Sequence, residues 1–200
     1  MSNTNKEPHA NLPEKQKDKL YPIVLQLFST KDFHQVSMRE IGKLSGLSTT
    51  TLYRYYPSKE NLLFSILDEK IESLADKTRL HIQGMESTRE IFRKIFWVTL
   101  DHYDNNPGLA VTLYITAPIH AWIAEKTYVR KDAYAVLNET IIHGRKLGEI
   151  DPDISDEQII DLYFMYCHRQ VLRWYVKNQT DSLVDSIGNF FNVFWKAVTV

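Results

Sequence analysis

With a single cysteine among 200 residues, no internal disulfide can form, and Cys167 has no C-x-x-C partner for a metal or redox pair. That usage suits a reducing compartment, and a cytoplasmic location is expected. Neither sign of charge is in excess: 24 Lys and Arg stand against 25 Asp and Glu, which excludes a chain that coats nucleic acid by charge alone. Glycine and proline are scarce, seven of each, too few for a low-complexity chain. No stretch approaches the roughly 18 apolar residues of a membrane span, and residues 1–18 lack the apolar run of a signal peptide. Period-2 alternation and Asn-Gly hairpin signals are missing too. Catalytic signatures are equally scarce, with no H-E-x-x-H, no Gly-rich phosphate loop and histidines scattered along the chain. Asp151, Asp153 and Ser155 imitate the start of a calcium loop, but Asp156 and Leu162 stand where it needs Gly and Glu. Neither an enzyme nor a cofactor or metal site is expected.

What is present is helical periodicity. Leu20, Ile23, Val24, Leu27 and Phe28 make one apolar stripe, which predicts a first helix from Pro13 to about Thr30. Pro13 suits its first position, whereas Pro22 in its interior predicts a kink or a shortened helix. Ser37 with Glu40, Ser87 with Glu90 and Ser155 with Gln158 read as capping boxes, and Ser48 and Ser58 as further caps. With turns at Gly46, at Asn105-Asn106-Pro107-Gly108 and at residues 178–180, these signals predict about nine helices. The expected spans are 38–45, 49–56, 59–82, 88–104, 109–117, 118–146, 155–177 and 181–198 after the first helix. The fold class is all-α: a three-helix head and a six-helix body. The expected divisions are a disordered tail (1–12), a three-helix head (13–58), a long helix (59–82) and a body (83–200).

Residues 37–56 carry the chemistry. Ile41 and Leu44 are read as the inner face of one short helix, Leu47 and Leu52 as that of the turn and the next. Gly42 is small where two helices cross closely, and Gly46 makes the turn. This is the set a helix-turn-helix needs. The outer face of its second helix then offers Thr49, Thr50, Thr51, Tyr53, Arg54 and Tyr55 to phosphates and base edges. Lys59, at the next helix N-terminus, is placed to hold a phosphate. Residues 1–60 hold nine basic and six acidic side chains, the remainder fifteen and nineteen, so the front end is the basic one.

The run Ile41 to Leu62, IGKLSGLSTTTLYRYYPSKENL, resembles the signature of the TetR family of one-component bacterial repressors. The likeness covers residues 16–65, and LYRYYPSKENL is its most specific part. It implies a three-helix head, a long connecting fourth helix and a C-terminal body that binds a ligand and dimerises. By the same resemblance, Met38 and Arg39 join Thr49, Thr50, Tyr53, Arg54 and Tyr55 on the operator, and Lys59 anchors the fourth helix to the DNA backbone. Asp32 departs from the family's usual Gly after the first helix, and Pro22 is also unusual.

The body is rich in aromatics, most of which must fill its core. The resemblance implies a cavity among them, with Phe96, Thr99, His102, Tyr103, Tyr114, Trp122, Tyr134, Tyr163 and Tyr166 as candidate lining for a lipophilic or aromatic small-molecule effector. The last two helices are apolar almost all round. Val171, Trp174, Tyr175, Ile187, Phe190, Phe191 and Phe194 are therefore expected at a homodimer interface. The function expected is a repressor released by its effector from a palindromic double-stranded DNA operator. The alternatives are a DNA-binding protein without a ligand switch and, further off, a helical enzyme.

Overall fold

The structure, a computed structural model, describes residues 12–118 and 131–199. Among the described residues there are nine α-helices and no strand: α1 (Glu14–Thr30), α2 (Met38–Ser45), α3 (Thr49–Tyr55), α4 (Lys59–Ile82), α5 (Thr88–Asp104), α6 (Pro107–Val111), α7 (Lys131–Lys146), α8 (Asp156–Val176) and α9 (Ile187–Val198). Short 3-10 turns at Phe33–Gln35 and Val184–Ser186 and a π turn at Thr112–Thr116 complete the pattern. The fold is all-α, as the periodicity predicts. The front of the expected seventh helix, with Trp122, falls outside the described residues.

Serine starts five of the helices. Ser37, Ser48, Ser58, Ser87 and Ser155 each accept the backbone N–H three residues on, at 3.0–3.4 Å. Only Ser155 forms the reciprocal box, its own N–H donating to Gln158 Oε1 at 2.8 Å. The boxes expected at Ser37 and Ser87 are half made. Glu40 turns to Lys31 at 2.6 Å, and Glu90 lies between Arg89 and Arg93, because a cation holds a carboxylate better than a lone amide does.

Pro22 neither breaks nor shortens α1, which runs unbroken from Glu14, with Pro13 at the cap rather than inside. The proline is exposed, and so is Asp18, whose carbonyl loses its donor where water can replace it. The start of α9 is later than expected. Asp104 accepts the N–H of Leu183 at 2.9 Å and the hydroxyl of Ser182, holding that segment as a loop until Val184. The sixth helix begins earlier than expected, at Pro107, whose missing N–H costs nothing in the first turn.

The buried stripe of α1 (Leu20, Val24, Leu27, Phe28) meets α2, and Leu62, Leu63, Ile66 and Leu67 of α4 bury in the same core. Further along, α4 packs against α5 and α7, so one helix belongs to both head and body. A second connection runs from α1 to α6 and the π turn: Thr112 Oγ1 donates to the Leu25 carbonyl at 3.3 Å. In the body, fully buried Phe96 is the hub, its ring 4.8 Å from Tyr163, 5.0 Å from Phe194 and 5.4 Å from Tyr166. Among the described residues no helix is long and apolar enough to cross a membrane.

Candidate nucleic-acid interface and effector cavity

In the head, α2 and α3 are held by a glycine at their crossing and another at the turn. A Cβ on Gly42 would lie 2.7 Å from the Leu47 carbonyl oxygen, so only glycine lets the chain approach this closely. Gly46 closes α2 in the left-handed conformation, φ +71°. The inner face of α2 is Met38, Ile41, Gly42 and Ser45. Two sequence expectations change here. Leu44, read as inner, is 54% exposed. Met38, read as a DNA contact, is buried in the head core. The spacing i, i+3, i+4, i+7 explains both, because an eight-residue helix crossing α3 steeply buries one such row.

Arg39 stays exposed in the first turn of α2. On α3, Thr50, Tyr53 and Arg54 are exposed, with Tyr53 at 52%. Thr49 is half-buried. Thr51 is half-buried as well and locally engaged, its hydroxyl 2.7 Å from Ser48 Oγ. Tyr55 packs partly against the core. The solvent face of α3 thus reduces to Thr50, Tyr53 and Arg54, with Arg39 from the neighbouring helix.

Lys59 does something the sequence reading did not foresee. Its ammonium donates to the carbonyls of Phe33 at 2.8 Å and Val36 at 3.1 Å, and it sits 4.4 Å from the centre of the Phe33 ring. In this state it binds the chain rather than pointing free at the helix N-terminus. Sequence spacing alone cannot reveal a contact 26 residues away.

The body holds a narrow cavity of about 40 Å³ bordered by α4, α5, the π turn, α7 and α8. Four of the candidate residues line it: Thr99, Tyr103, Tyr114 and Tyr163. Thr99 and Tyr163 share a hydrogen bond of 2.6 Å, and the Tyr103 and Tyr114 hydroxyls lie 3.4 Å apart. Burial pushes the Tyr114 and Tyr163 phenols well above their ordinary range, so both stay neutral. Phe96, His102, Tyr134 and Tyr166 are not in the lining. Phe96 fills the core, His102 is half-buried within the electrostatic reach of Lys77 and Asp101, Tyr134 is exposed beside Phe164, and Tyr166 stacks on Phe190 at 3.6 Å while bonding Ser186. Trp122 lies outside the described residues. Four of the nine lining residues missed are on α4: Ile71, Leu74, Ala75 and Thr78. Their i, i+3, i+4, i+7 spacing marks one face of the connecting helix, and that face turns to the body.

Of the residues expected to face a second copy, Val171, Trp174, Ile187, Phe191 and Phe194 are buried within the chain's own body. Tyr175 is exposed and Phe190 half-buried. The correction has a plain cause: the α5 face built on Phe92 and Phe96 covers one side of α9 in the monomer. Met165, Val176 and Val193 are the exposed apolar groups on α8 and α9 instead. Asp151, from the rejected calcium pattern, accepts the N–H of Asp153 at 2.9 Å, and Asp156 pairs with Arg145 at 2.7 Å.

The family described as bacterial regulatory proteins, tetR family, matches residues 25–66, which span the end of α1, both helices of the motif and the start of α4. The nucleoid occlusion factor SlmA of Haemophilus ducreyi is 25% identical over 175 residues, 84% of each chain. FadR of Bacillus subtilis, solved with stearoyl-CoA, has the same fold with a TM-score of 0.82 at 16% identity, over 90% of this chain and 98% of its own. A tetR family transcription regulator of Shewanella sp. PV-4 gives 0.75 at 22% identity, over 92% and 98%. With a matching head and an exposed polar recognition face, residues 25–66 form a DNA-binding head of the tetR family type, and the chain is a DNA-binding transcriptional regulator with the fold of the solved tetR regulators.

Proposed function

We propose that this regulator is a repressor that binds a near-palindromic operator as a homodimer and leaves it when a lipophilic effector enters the body. The observation that carries the DNA-contact part is the exposed row of Thr50, Tyr53 and Arg54 on α3 beside Arg39. Arginine can bond guanine bidentately, threonine and tyrosine reach phosphates, and a thymine methyl fits against the threonine. In this reading residues 13–58 form the head, 59–82 the connecting helix and 83–200 the body. A dimer would place two α3 helices in successive major grooves, about 34–36 Å apart. Its contact face on α8 and α9 is assigned to Met165, Tyr175, Val176 and Val193, which are exposed in the single chain.

The effector assignment rests on the uncharged lining of the cavity, whose polar groups among the described residues are threonine and tyrosine hydroxyls. An acyl chain suits such walls, and FadR of Bacillus subtilis was solved with stearoyl-CoA. At about 40 Å³ the cavity is far below the roughly 300 Å³ of a ligand site. An acyl chain therefore has to push the lining apart. Four of its lining residues lie on α4, so that displacement reaches the helix that continues into the head. A coupling of about 1–3 kcal/mol is ordinary for such linkage. The closed state also favours a second reading, a regulator with no ligand switch. The deciding experiment takes a duplex selected from random-sequence DNA by the full-length protein and titrates stearoyl-CoA against the complex. Release at micromolar stearoyl-CoA supports the switch; operator affinity unmoved by acyl chains of every length overturns the effector assignment.

A further inference from the structure

We propose that Lys59 is a positioning residue rather than a phosphate ligand: its ammonium ties the turn after α1 to the start of α4 and so fixes where α2, and with it Arg39, stands. The turn comprises the 3-10 segment Phe33–Gln35 and Val36, and it leads straight into Ser37, the cap of α2. Among the described residues no main-chain N–H serves the Val36 carbonyl. Lys59 Nζ supplies that donor at 3.1 Å and also donates to the Phe33 carbonyl at 2.8 Å. Its charge also faces the Phe33 ring, which is itself stacked on Phe28 of α1 at 5.3 Å.

The partners make the arrangement hard to give up. Val36 is buried, so a swing of Lys59 toward a phosphate would leave a main-chain acceptor inside the head without a donor. The other side of the turn is held independently, by Lys31 on Glu40 at 2.6 Å. Lys31 and Lys59 thus grip the chain between α1 and α2 from two directions. Two residues beyond the Ser37 cap, Arg39 takes its direction from this grip.

The inference rests on Arg39 touching DNA, and the test separates the two. Salt dependence is the readout, because each phosphate ligand lost lowers the slope of log affinity against log salt by about 0.9. Lys59→Met keeps the stem over Phe33 and removes the donors. It is compared with Arg39→Ala and with the double variant on the selected duplex. In the wild-type background Lys59→Met is expected to weaken binding about as much as Arg39→Ala. In the Arg39→Ala background it is expected to change affinity less than about twofold and leave the slope where it was, since coupled groups are non-additive. A further fall of about 0.9 in slope in that background makes Lys59 a phosphate ligand and overturns the proposal.

Amide exchange without DNA provides the second arm. Protection at residues 36–40 is expected to fall in Lys59→Met while α5 and α8 stay protected; unchanged protection there refutes the latch. Should Lys59→Met not fold, Lys59→Gln carries the same comparison, since it keeps a shorter donor without the charge. If Arg39→Ala alone leaves binding intact, the Arg39 contact fails and exchange alone decides the latch.

Discussion

Tyr21 donates its phenol hydrogen to Glu69 at 2.9 Å, joining the first helix of the head to the middle of the long helix that leaves it. The same carboxylate oxygen takes a bond from Lys17 at 2.7 Å, and Tyr56 places its hydroxyl 3.3 Å from that of Tyr21. Tyr56 is the residue that ends the recognition helix, so α1, α3 and α4 meet in one polar network. Burial, then Tyr56 and Glu69, drive the Tyr21 phenol far above its ordinary range, so it remains a donor at any physiological pH.

Tyr21→Phe should therefore cost about 1–3 kcal/mol, since it deprives Glu69 of a donor and Tyr56 of its partner inside the head. Tyr56→Phe should cost less, because Tyr21 keeps Glu69. The two together should cost less than the sum of their separate effects. Urea unfolding of the four proteins measures this, and strict additivity would mean the hydroxyls act alone.

Gly42→Ala should abolish operator binding while leaving most of the helix content in place. The new methyl would stand 2.7 Å from a main-chain oxygen, that of Leu47, which cannot rotate aside. Overpacking of this kind costs about 1–3 kcal/mol, and here it moves α3 relative to α2. Circular dichroism and an affinity titration on one sample check it. Binding within about threefold of wild type would show that the head repacks.

Much of the head is legible in the sequence. Ser37, Gly42, Gly46 and Ser48 act locally, through caps, a close crossing and a left-handed turn, and local chemistry is written in the sequence. Lys59 on Phe33 and Val36 was not readable, because a lysine at a helix start fits a distant carbonyl as well as a phosphate. The same limit moved Met38 and Leu44: eight residues carry too little periodicity to orient a helix within one position. In the body, aromatic content announced a core but could not sort Phe96, which fills it, from Tyr163, which borders the cavity. The apolar surplus on α8 and α9 was real, yet α5 claims Phe191 and Phe194, and only packing reveals which side is left.

Ala75→Leu should block an effector without harming DNA binding. Ala75 is buried on α4 at the cavity wall, and added methylenes project into the 40 Å³ that an acyl chain would have to enlarge. Operator affinity is expected within about threefold of wild type, while stearoyl-CoA no longer releases the complex. Retained release in the variant would move the effector site elsewhere in the body.

His102 gives stability a pH dependence of known sign. Burial lowers its affinity for a proton, the charges of Lys77 and Lys70 lower it further, and Asp101 opposes them only in part. Its folded value thus lies below the ordinary 6.5. As pH falls through 6.5, the unfolded chain takes up a proton that the folded chain refuses, so the unfolded state binds more protons and stability drops. The contribution is complete above 6.5 and is lost as pH falls through the folded value. His102→Gln removes the group from both states. The difference in unfolding free energy between wild type and variant, measured in urea at pH 7.5, 6.5 and 5.5, should therefore move against the wild type as pH decreases. A difference that stays constant over the three values would mean that His102 titrates alike folded and unfolded, and that its burial has no electrostatic consequence.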